Sequence, residues 1–365
     1  MKVAIVHYWL VNMRGGEKML SALLEIFPEA DIYTHVYNPL SVSPLINKHK
    51  ITSSFINRLP FAKKLYPIYM PLMPAALNDF NLQEYDLIIS SEAGPAKGVI
   101  PAPDAYHLCY CHTPMRYVWD LYHEYFKNAP PLQKFFMKRL VPSLRVWDIT
   151  SSYLVDRFIT NSNWTAKRIL RYYNRKADVV FGPADVEKYF CVQRNIKDYY
   201  LFFGQLTDNK KVDIAIEACI SIKRKLIIAG GGAKKKLMEK YKKSPFIEFA
   251  GRISDERLIS CFAEAKALLF PGIEDMGLVP IEANAAGCPV IAYRKGGVLD
   301  TIKENSTGIF FDRQTSESLS AAILDFEHIE QNFQNREVFT QWTKQFSKEL
   351  FIERVKKIIS ERKRI

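Results

Sequence analysis

The sequence predicts an α/β protein built from two doubly wound parallel sheets. Short apolar runs alternate with helical stretches along the chain, and this alternation is typical of parallel sheets with helices on their faces. The alternation is interrupted over residues 183–197 and then restarts, which indicates a second domain of the same kind. Glycines follow several of the apolar runs, at the strand ends where open parallel sheets bind their ligands.

The apolar runs give the expected strands in chain order. In the first half they are residues 3–9, 31–37, 86–91, 106–112, 157–162 and 177–182. In the second half they are residues 199–203, 225–229, 246–250, 267–270, 289–293 and 308–311. Right-handed crossovers would direct the strand ends of both halves toward one cleft. Past residue 345 the apolar side chains recur at helical spacing, so we expect a C-terminal amphipathic helix.

Composition narrows the class of protein. With 365 residues, 48% of them hydrophobic, the chain suits two globular domains, and it has no apolar run long enough to span a bilayer. The net charge of +12 fits either nucleic acid or an anionic membrane surface as a partner. We recognise no nucleic-acid-binding module, so the membrane surface is favoured. Six scattered cysteines and a strand at the very start predict a cytoplasmic protein with reduced thiols and no signal peptide.

The most informative stretch is 267–297, a predicted strand–helix–strand unit. An acidic loop of Glu274, Asp275, Met276 and Gly277 leads through Leu278 and Val279 into a helix that carries Glu282. Backbone N–H groups at a helix start attract phosphate, whereas carboxylates suit sugar hydroxyls. The unit therefore predicts a site for a nucleotide-sugar, with a carboxylate on each side of the diphosphate. The alternative is a structural turn with two solvated glutamates.

Two further positions at strand ends are candidates in the first half. Gly15 and Gly16 follow the first strand, where a tight turn allows close approach to a phosphate or sugar, although a plain strand–helix turn is equally compatible. His112 ends a later strand and is placed to face a cleft. A metal site of Cys109, Cys111 and His112 is not favoured, because no second group of ligands lies nearby.

The E-x7-E spacing of Glu274 and Glu282, with its flanking glycines, resembles the signature of the retaining glycosyltransferases of family 4. The resemblance implies the GT-B fold, in which two Rossmann-like domains face a cleft. Residues 1–185 would bind the acceptor, residues 186–345 the nucleotide-sugar donor, and the helix at 346–365 would cross back to the first domain. In this family Glu274 would hold the sugar hydroxyls, Glu282 the ribose hydroxyls, and His112 would contact the transferred sugar.

The loop after residue 203 resembles the diphosphate-binding segment of the same family. Gly204, Leu206 and Lys210 match its pattern, but Gln205 stands where an arginine is expected. A glutamine carries no charge, so three alternatives are open: Lys210 or Lys211 suffices to hold the donor diphosphate, another basic residue takes over, or this domain has lost catalysis. Arg252 resembles the residue that borders the base, or is a surface arginine. No D-x-D sequence follows a strand, and we expect neither a metal ion nor a cofactor.

Three stretches of the first half resemble bacterial mannosyltransferases of surface-polysaccharide assembly, of the O-antigen type. They are the opening VAIVHYW, the following RGGEK and the later CHTPMRYVWD. This implies GDP-mannose as donor and a lipid-linked saccharide as acceptor, at the inner face of the cytoplasmic membrane. Other UDP- or GDP-sugars, a non-catalytic scaffold subunit, and another enzyme on this architecture, such as an epimerase or a phosphorylase, remain alternatives.

Two aromatic and basic segments are candidates for contact with the acceptor or the membrane. In residues 51–80 prolines break any long helix, so we expect short amphipathic helices and turns. They either cover a sheet edge or bind lipid headgroups. In residues 117–147 we expect most of the aromatic side chains to lie in the core.

Overall fold

The computed structural model describes residues 1–232 and 235–362 and divides the chain into two compact units. The first comprises Met1–Pro183 together with Phe351–Ile365, and the second comprises Ala184–Leu350. The sequence placed the corresponding boundaries after residues 185 and 345. Within the described residues, no helix combines the length and the apolarity needed to cross a bilayer.

The first unit is organised by a parallel seven-stranded sheet of order β3-β2-β1-β4-β5-β6-β7. Its strands are β1 Val3–His7, β2 Asp31–Thr34, β3 Ile51–Ser53, β4 Leu87–Glu92, β5 Tyr106–Cys111, β6 Arg157–Thr160 and β7 Ala177–Val179. Its helices are α1 Gly15–Ile26, α2 Pro44–Asn47, α3 Ala62–Leu65, α4 Met73–Ala76, α5 Tyr122–Asn128, α6 Pro131–Ser151 and α7 Asn163–Tyr173.

The second unit has a parallel six-stranded sheet of order β10-β9-β8-β11-β12-β13. Its strands are β8 Tyr200–Phe203, β9 Leu226–Ala229, β10 Ile247–Gly251, β11 Leu268–Phe270, β12 Val290–Tyr293 and β13 Gly308–Phe311. The remaining helices are α8 Val212–Ser221, α9 Lys235–Tyr241, α10 Asp255–Glu264, α11 Leu278–Ala285, α12 Val298–Thr301, α13 Ser316–Ile329, α14 Arg336–Thr343 and α15 Lys348–Ser360.

Both sheets are doubly wound, as predicted. In each, the strand order reverses beside the first strand of the unit, between β1 and β4 in one sheet and between β8 and β11 in the other. Crossovers run in opposite directions from these points and leave an opening at the carboxyl ends of the strands. The C-terminal helix α15 packs on the first unit, as the fold class implies. Its Phe351, Val355 and Ile358 lie in the same core as Ile5 and Leu20.

Strand β3 is a difference from the sequence prediction, which placed only short helices and turns in residues 51–80. The strand is an edge strand that pairs through Ile51, Thr52 and Ser53 with β2, and all three residues are half-buried. Such a short edge strand lacks the continuous apolar run that marks the buried strands. The remainder of the segment has the expected short helices, including α3 and α4.

A buried ion cluster links strand β4 to helix α6 in the first unit. The Lys97 ammonium donates hydrogen bonds to Glu92 Oε1 at 2.6 Å and to Asp148, and all three side chains are inaccessible to solvent. Trp119 and Tyr173 donate to Asp148 Oδ2 at 2.7 and 2.9 Å. Burial alone lowers the pKa of Lys97, but the two carboxylates outweigh it and leave that pKa raised. The cluster is therefore charged and fully paired.

We expect Lys97→Met to destabilise the first unit strongly. Removing the only described cation of the cluster leaves two buried carboxylates without a counter-charge, which costs about 3–5 kcal/mol. Urea denaturation followed by tryptophan fluorescence measures the loss. The matched control is Lys2→Met, which removes a lysine from an exposed pair with Glu84 and should leave the unfolding midpoint unchanged. Equal midpoints for both variants would contradict the assignment.

Candidate functional site

The site in the second unit lies where its sheet reverses strand order. Strands β8 and β11 are neighbours, and the loops that follow them carry Lys210 and Glu274. The two loops are in van der Waals contact, because a Cβ atom added at Gly272 would lie 2.9 Å from the Asn209 carbonyl oxygen and 3.0 Å from Lys210 Cα. The sequence predicted the two residues separately, and the fold brings their side chains together.

An ion pair joins the two loops. The Lys210 ammonium donates a hydrogen bond to Glu274 Oε1, and the side chains retain 21% and 20% of their solvent exposure. Both groups therefore remain accessible to a ligand while they hold one another in place. An ammonium, which suits a phosphate, and a carboxylate, which suits hydroxyl groups, thus lie at one point.

Helix α11 begins directly after this pair. Gly277 is its N-cap with φ of +82°, a left-handed conformation that glycine adopts without strain. Because Gly277 has no side chain, the N-cap residue makes no side-chain hydrogen bond to the first N–H groups of α11, which include those of Leu278 and Val279. The start of the helix therefore presents main-chain N–H donors and the positive end of a dipole, which attract an anion.

The loop that leads into α11 rests on the glycines after strand β12. The Gly297 N–H donates to the Glu274 carbonyl oxygen at 2.8 Å. A Cβ atom at Gly297 would lie 2.1 Å from the Asp275 carbonyl oxygen, so no larger residue fits there without moving the loop. Asp275 and Met276 are themselves buried. This part of the predicted donor site is therefore a fixed backbone segment, to which Met276 contributes main-chain rather than side-chain groups.

Glu282 lies in the second turn of α11 and is half-buried. Burial, reinforced by the negative charge of Glu282, raises the pKa of the buried Tyr189 phenol. Glu274 and Glu282 thus flank the first turn of the helix in sequence, one before it and one after it.

Three glycine loops at the same sheet edge bring the other predicted donor residues together. The Leu206 N–H donates to the Gly231 carbonyl oxygen at 2.9 Å, and the Gly230 N–H to the Gly251 carbonyl oxygen at 2.6 Å. Arg252 lies across Gly231, where an added Cβ atom would be 2.6 Å from Arg252 Nε. Gln205 and Arg252 are exposed, whereas Lys211 is half-buried and adopts a left-handed conformation with φ of +53°. The loop that carries Gln205 and Lys210 and the loop that carries Arg252 thus lie close together, on either side of the Gly230–Gly231 loop.

The candidates of the first unit lie at its own point of strand reversal. Gly15 and Gly16 form the first turn of α1, whereas the sequence predicted that they form a tight turn between the strand and the helix. The helix begins earlier because Glu17 accepts a hydrogen bond from the Arg14 backbone N–H at 2.9 Å and completes a capping box. A Cβ atom at Gly16 would lie 2.2 Å from the Tyr8 hydroxyl oxygen, so any larger residue at this position would clash with the Tyr8 side chain.

His112 follows strand β5 and is half-buried. Its Nε2 atom is 3.1 Å from Ser91 Oγ at the end of β4, and Ser91 in turn contacts His7. Sequence reasoning missed both contacts. The available signal was that Ser91 ends one predicted strand and His7 lies near the end of another, and neighbouring parallel strands bring such ends together.

Cys109 and Cys111 are buried among apolar side chains, including Phe158 and Ile169, and burial raises the pKa of both thiols. Within residues 1–232 and 235–362, no group of three or more histidine, cysteine, aspartate or glutamate side chains is arranged to hold a metal ion. These thiols therefore belong to the core of the first unit.

Comparison with known proteins agrees with this architecture. The chain has the GT-B fold: over 99% of its length it superimposes on the whole of the Anabaena Alr3699/HepE structure in complex with UDP, with a TM-score of 0.73 and 15% sequence identity. Residues 192–346, less than half of the chain, match the family model described as glycosyl transferases group 1. The match supports a glycosyltransferase of the GT-B class.

Curated relatives match at low identity. A GDP-mannose-dependent alpha-(1-6)-phosphatidylinositol monomannoside mannosyltransferase of Mycobacterium tuberculosis is 26% identical over 226 residues, which cover 56% of this chain and 58% of that protein. The human alpha-1,3/1,6-mannosyltransferase ALG2 is 24% identical over 210 residues, which cover 47% of this chain and 50% of the relative. The chain thus spans about half the length of these relatives.

We expect Glu274→Gln to change the free energy of unfolding by less than about 1 kcal/mol. The substitution preserves shape and removes one charge of a pair that remains accessible to solvent, and such pairs contribute little to stability. Urea denaturation measures the change. A loss above roughly 3 kcal/mol, the cost of breaking a buried pair, would mean that Lys210 and Glu274 serve the fold rather than a ligand.

Proposed function

We propose that the chain is a retaining glycosyltransferase that moves a sugar from a nucleotide-sugar donor to a lipid-linked saccharide acceptor. The observation that carries the proposal is the Lys210–Glu274 pair on the loops beside the glycine N-cap of α11. A lysine and main-chain N–H groups suit a diphosphate, and the adjoining carboxylate suits sugar hydroxyls. The match of residues 192–346 to the glycosyl transferases group 1 family supports the same chemistry.

The reaction breaks the bond between the anomeric carbon and a diphosphate oxygen and forms a bond to an acceptor hydroxyl. As that bond breaks, negative charge collects on the departing diphosphate. Lys210 and the N–H groups of Leu278 and Val279 stabilise this charge more strongly in the transition state than in the ground state, and such preorganised donors supply a large part of catalysis. The acceptor attacks from the side of the leaving group, so its proton passes to the departing phosphate oxygen and the anomeric configuration is retained.

Glu274 and Glu282 bind different hydroxyl groups of the donor, those of the transferred sugar and those of the ribose. Arrival of a diphosphate draws the Lys210 ammonium toward the phosphates and releases Glu274 to accept hydrogen bonds from the transferred sugar. Glu282, further along α11, accepts hydrogen bonds from the ribose. Arg252, which lies across Gly231, borders the base, and His112 and the Gly15–Gly16 turn in the first unit contact the transferred sugar.

The donor that we propose is GDP-mannose. Support comes from the curated relatives, one of which is named as GDP-mannose-dependent and another as a mannosyltransferase. The Alr3699/HepE structure contains UDP, which supports a nucleoside diphosphate site in general and keeps UDP-sugars as the alternative donors. We propose surface-polysaccharide biosynthesis of the O-antigen type as the setting of the reaction, with no metal ion taking part.

A non-catalytic scaffold subunit is the second candidate. It is favoured by one observation, the exposed Gln205 at the position where an arginine would face the diphosphate. Without that guanidinium, Lys210 and Lys211 alone supply positive charge from this loop. The two candidates differ in whether the chain releases nucleotide from any donor.

A donor screen decides between them. We expect the wild-type protein to release nucleotide from GDP-mannose with a lipid-linked acceptor fraction, and Glu274→Ala to lower the rate by about 100-fold or more while remaining folded. Glu239→Ala is the matched control, because it removes the acidic member of an exposed ion pair in the same unit, and its rate should equal that of the wild type. Full activity of Glu274→Ala would refute the site assignment. No release from any GDP- or UDP-sugar would favour the scaffold.

We also propose that the first unit binds an anionic membrane surface through the N-terminal half of α6. The sequence predicted mostly core aromatics in this region, but Leu132, Phe135 and Phe136 are 70%, 56% and 49% exposed. Basic side chains surround them: Lys134 and Lys138 lie 5.7 and 5.6 Å from the ring centre of Phe126, and Arg139 lies 5.6 Å from that of Phe135. An exposed apolar face with basic neighbours suits insertion between anionic headgroups.

We expect the triple variant Leu132→Ser, Phe135→Ser and Phe136→Ser to lose cosedimentation with vesicles that contain phosphatidylglycerol. Wild-type binding should weaken as salt is added, because screening reduces the attraction of the basic residues. The control triple variant Leu40→Ser, Leu299→Ser and Leu324→Ser removes exposed apolar side chains on other elements and should bind as the wild type does. Unchanged binding of the α6 variant would refute this surface.

A further inference from the structure

A chain of hydrogen-bonding side chains runs from His112 into the interior of the first unit. His112 Nε2 lies 3.1 Å from Ser91 Oγ, and Ser91 Oγ lies 2.8 Å from His7 Nδ1. On the other side of the ring, His7 Nε2 makes no hydrogen bond within the described residues, and it faces Glu17 Oε1 across an electrostatic contact of 4.0 Å. His7 and Ser91 are inaccessible to solvent and Glu17 is 1% exposed, so the chain leads from a half-buried histidine to a buried carboxylate.

The sheet itself sets this arrangement. His7 ends β1 and pairs directly with Ser91 on β4, the strand beside it at the point where the strand order reverses. The His112 N–H donates to the Glu92 carbonyl oxygen at 2.8 Å, which fixes the backbone of His112 against the end of β4. Glu17 comes from the first turn of α1, where it is held by its capping bond to the Arg14 N–H. Four separate segments therefore converge on one line of polar atoms.

The number of protons limits the possible protonation states of this row of hydrogen-bonding side chains. Burial, together with the nearby His112, lowers the pKa of His7 well below its ordinary value, so at neutral pH the ring carries one proton. If that proton is on Nδ1, His7 donates to Ser91 and Ser91 donates to His112 Nε2. If it is on Nε2, Ser91 donates to His7 and therefore accepts from His112 Nε2. Because the Ser91 hydroxyl has one proton, the tautomers of the two histidines are linked.

The carboxylate of Glu17 selects between these two states. Its Oε2 atom accepts from the Arg14 N–H at 2.9 Å, which leaves Oε1 facing His7 Nε2. Burial raises the pKa of Glu17, and the Arg14 N–H opposes that rise by stabilising the anion. A carboxylate oxygen beside Nε2 repels a ring lone pair and attracts a ring proton. His7 is therefore protonated on Nε2, and His112 donates its own Nε2 proton to Ser91.

We propose that Ser91, His7 and Glu17 are positioning residues that hold the His112 ring in one orientation and in its Nε2–H tautomer. In this tautomer the other ring nitrogen, Nδ1, carries a lone pair rather than a proton, so toward a substrate hydroxyl it acts as a hydrogen-bond acceptor. The use of this hydroxyl contact in catalysis rests on the proposed function. The hydrogen-bond chain itself does not, because a tautomer is measured without any substrate.

The direct test is nitrogen NMR of protein labelled at its histidines, recorded above the titration of His112. We expect His112 to carry its proton on Nε2 in the wild type. In Glu17→Gln the amide oxygen still accepts from the Arg14 N–H, so the amide NH2 group points at His7 Nε2. His7 must then be protonated on Nδ1, Ser91 must donate to His112, and the His112 proton should move to Nδ1.

Activity gives a second measurement. We expect Ser91→Ala to lower kcat by about 10-fold to 100-fold with little change in the donor KM, because the ring of His112 loses its orientation. Ser91→Thr keeps the hydroxyl and should recover part of the loss. Ser90→Ala is the matched control. It breaks the 2.9 Å hydrogen bond between Ser90 Oγ and His107 Nε2, two buried side chains, one residue earlier on β4. This variant should leave kcat unchanged.

A wild-type His112 protonated on Nδ1, or a His112 tautomer that is the same in Glu17→Gln as in the wild type, would overturn the proposal. Both results are obtained from folded protein without a donor, so they stand even if Ser91→Ala unfolds. If the wild type transfers no sugar but shows the expected tautomers, the positioning chain is supported and only the proposed function fails.

Discussion

The structure of the candidate donor site depends on the contact between Lys210 and Glu274. These side chains come from loops that follow β8 and β11, which are adjacent in space although separated by two strands in sequence. The reversal of strand order is what makes them neighbours, since it sends the intervening helices to opposite faces and leaves the strand ends open. A charge pair that remains accessible at such an opening is ready to exchange its internal partner for a ligand.

The backbone around this pair is shaped by close approach rather than by side-chain packing. The absence of a side chain at Gly272 allows the Lys210 loop to approach closely, and the absence of one at Gly297 does the same for the carbonyl group of Asp275. Gly277 adopts the left-handed conformation at which α11 begins. These positions bring main-chain groups close together, so the donors of the first helical turn are fixed before a ligand arrives. Preorganised dipoles of this kind need no rearrangement when charge develops, which is the basis of electrostatic catalysis.

Much of the fold was predictable because buried parallel strands leave a strong pattern. Apolar runs such as those at Val3 and Leu268 are long enough to be recognised, and their alternation with helices predicted the two doubly wound sheets. The GT-B class came from the family resemblance of the Glu274–Glu282 spacing. The edge strand β3 was missed because its residues are only half-buried and show no apolar run. The exposed Phe135 and Phe136 were assigned mostly to the core because composition does not tell which face of a helix has a partner.

The candidate site was predictable only where its residues are close in sequence. Glu274, Gly277 and Glu282 lie on one loop and helix, so their spacing could be interpreted directly. Ser91 and His7 could not be connected with His112, because that link needs the register of β1 against β4. The roles assigned to the donor-binding residues, the retention of configuration and the choice of GDP-mannose stay predictions.

The central claim is that main-chain amides at the start of α11 hold the diphosphate of the donor. The most direct measurement is hydrogen exchange of individual amides, by NMR, with and without GDP. We predict that exchange at Gly277, Leu278 and Val279 slows markedly when GDP is bound, because these N–H groups gain phosphate oxygens as acceptors. Bound GDP that leaves exchange at these three amides unchanged would contradict it.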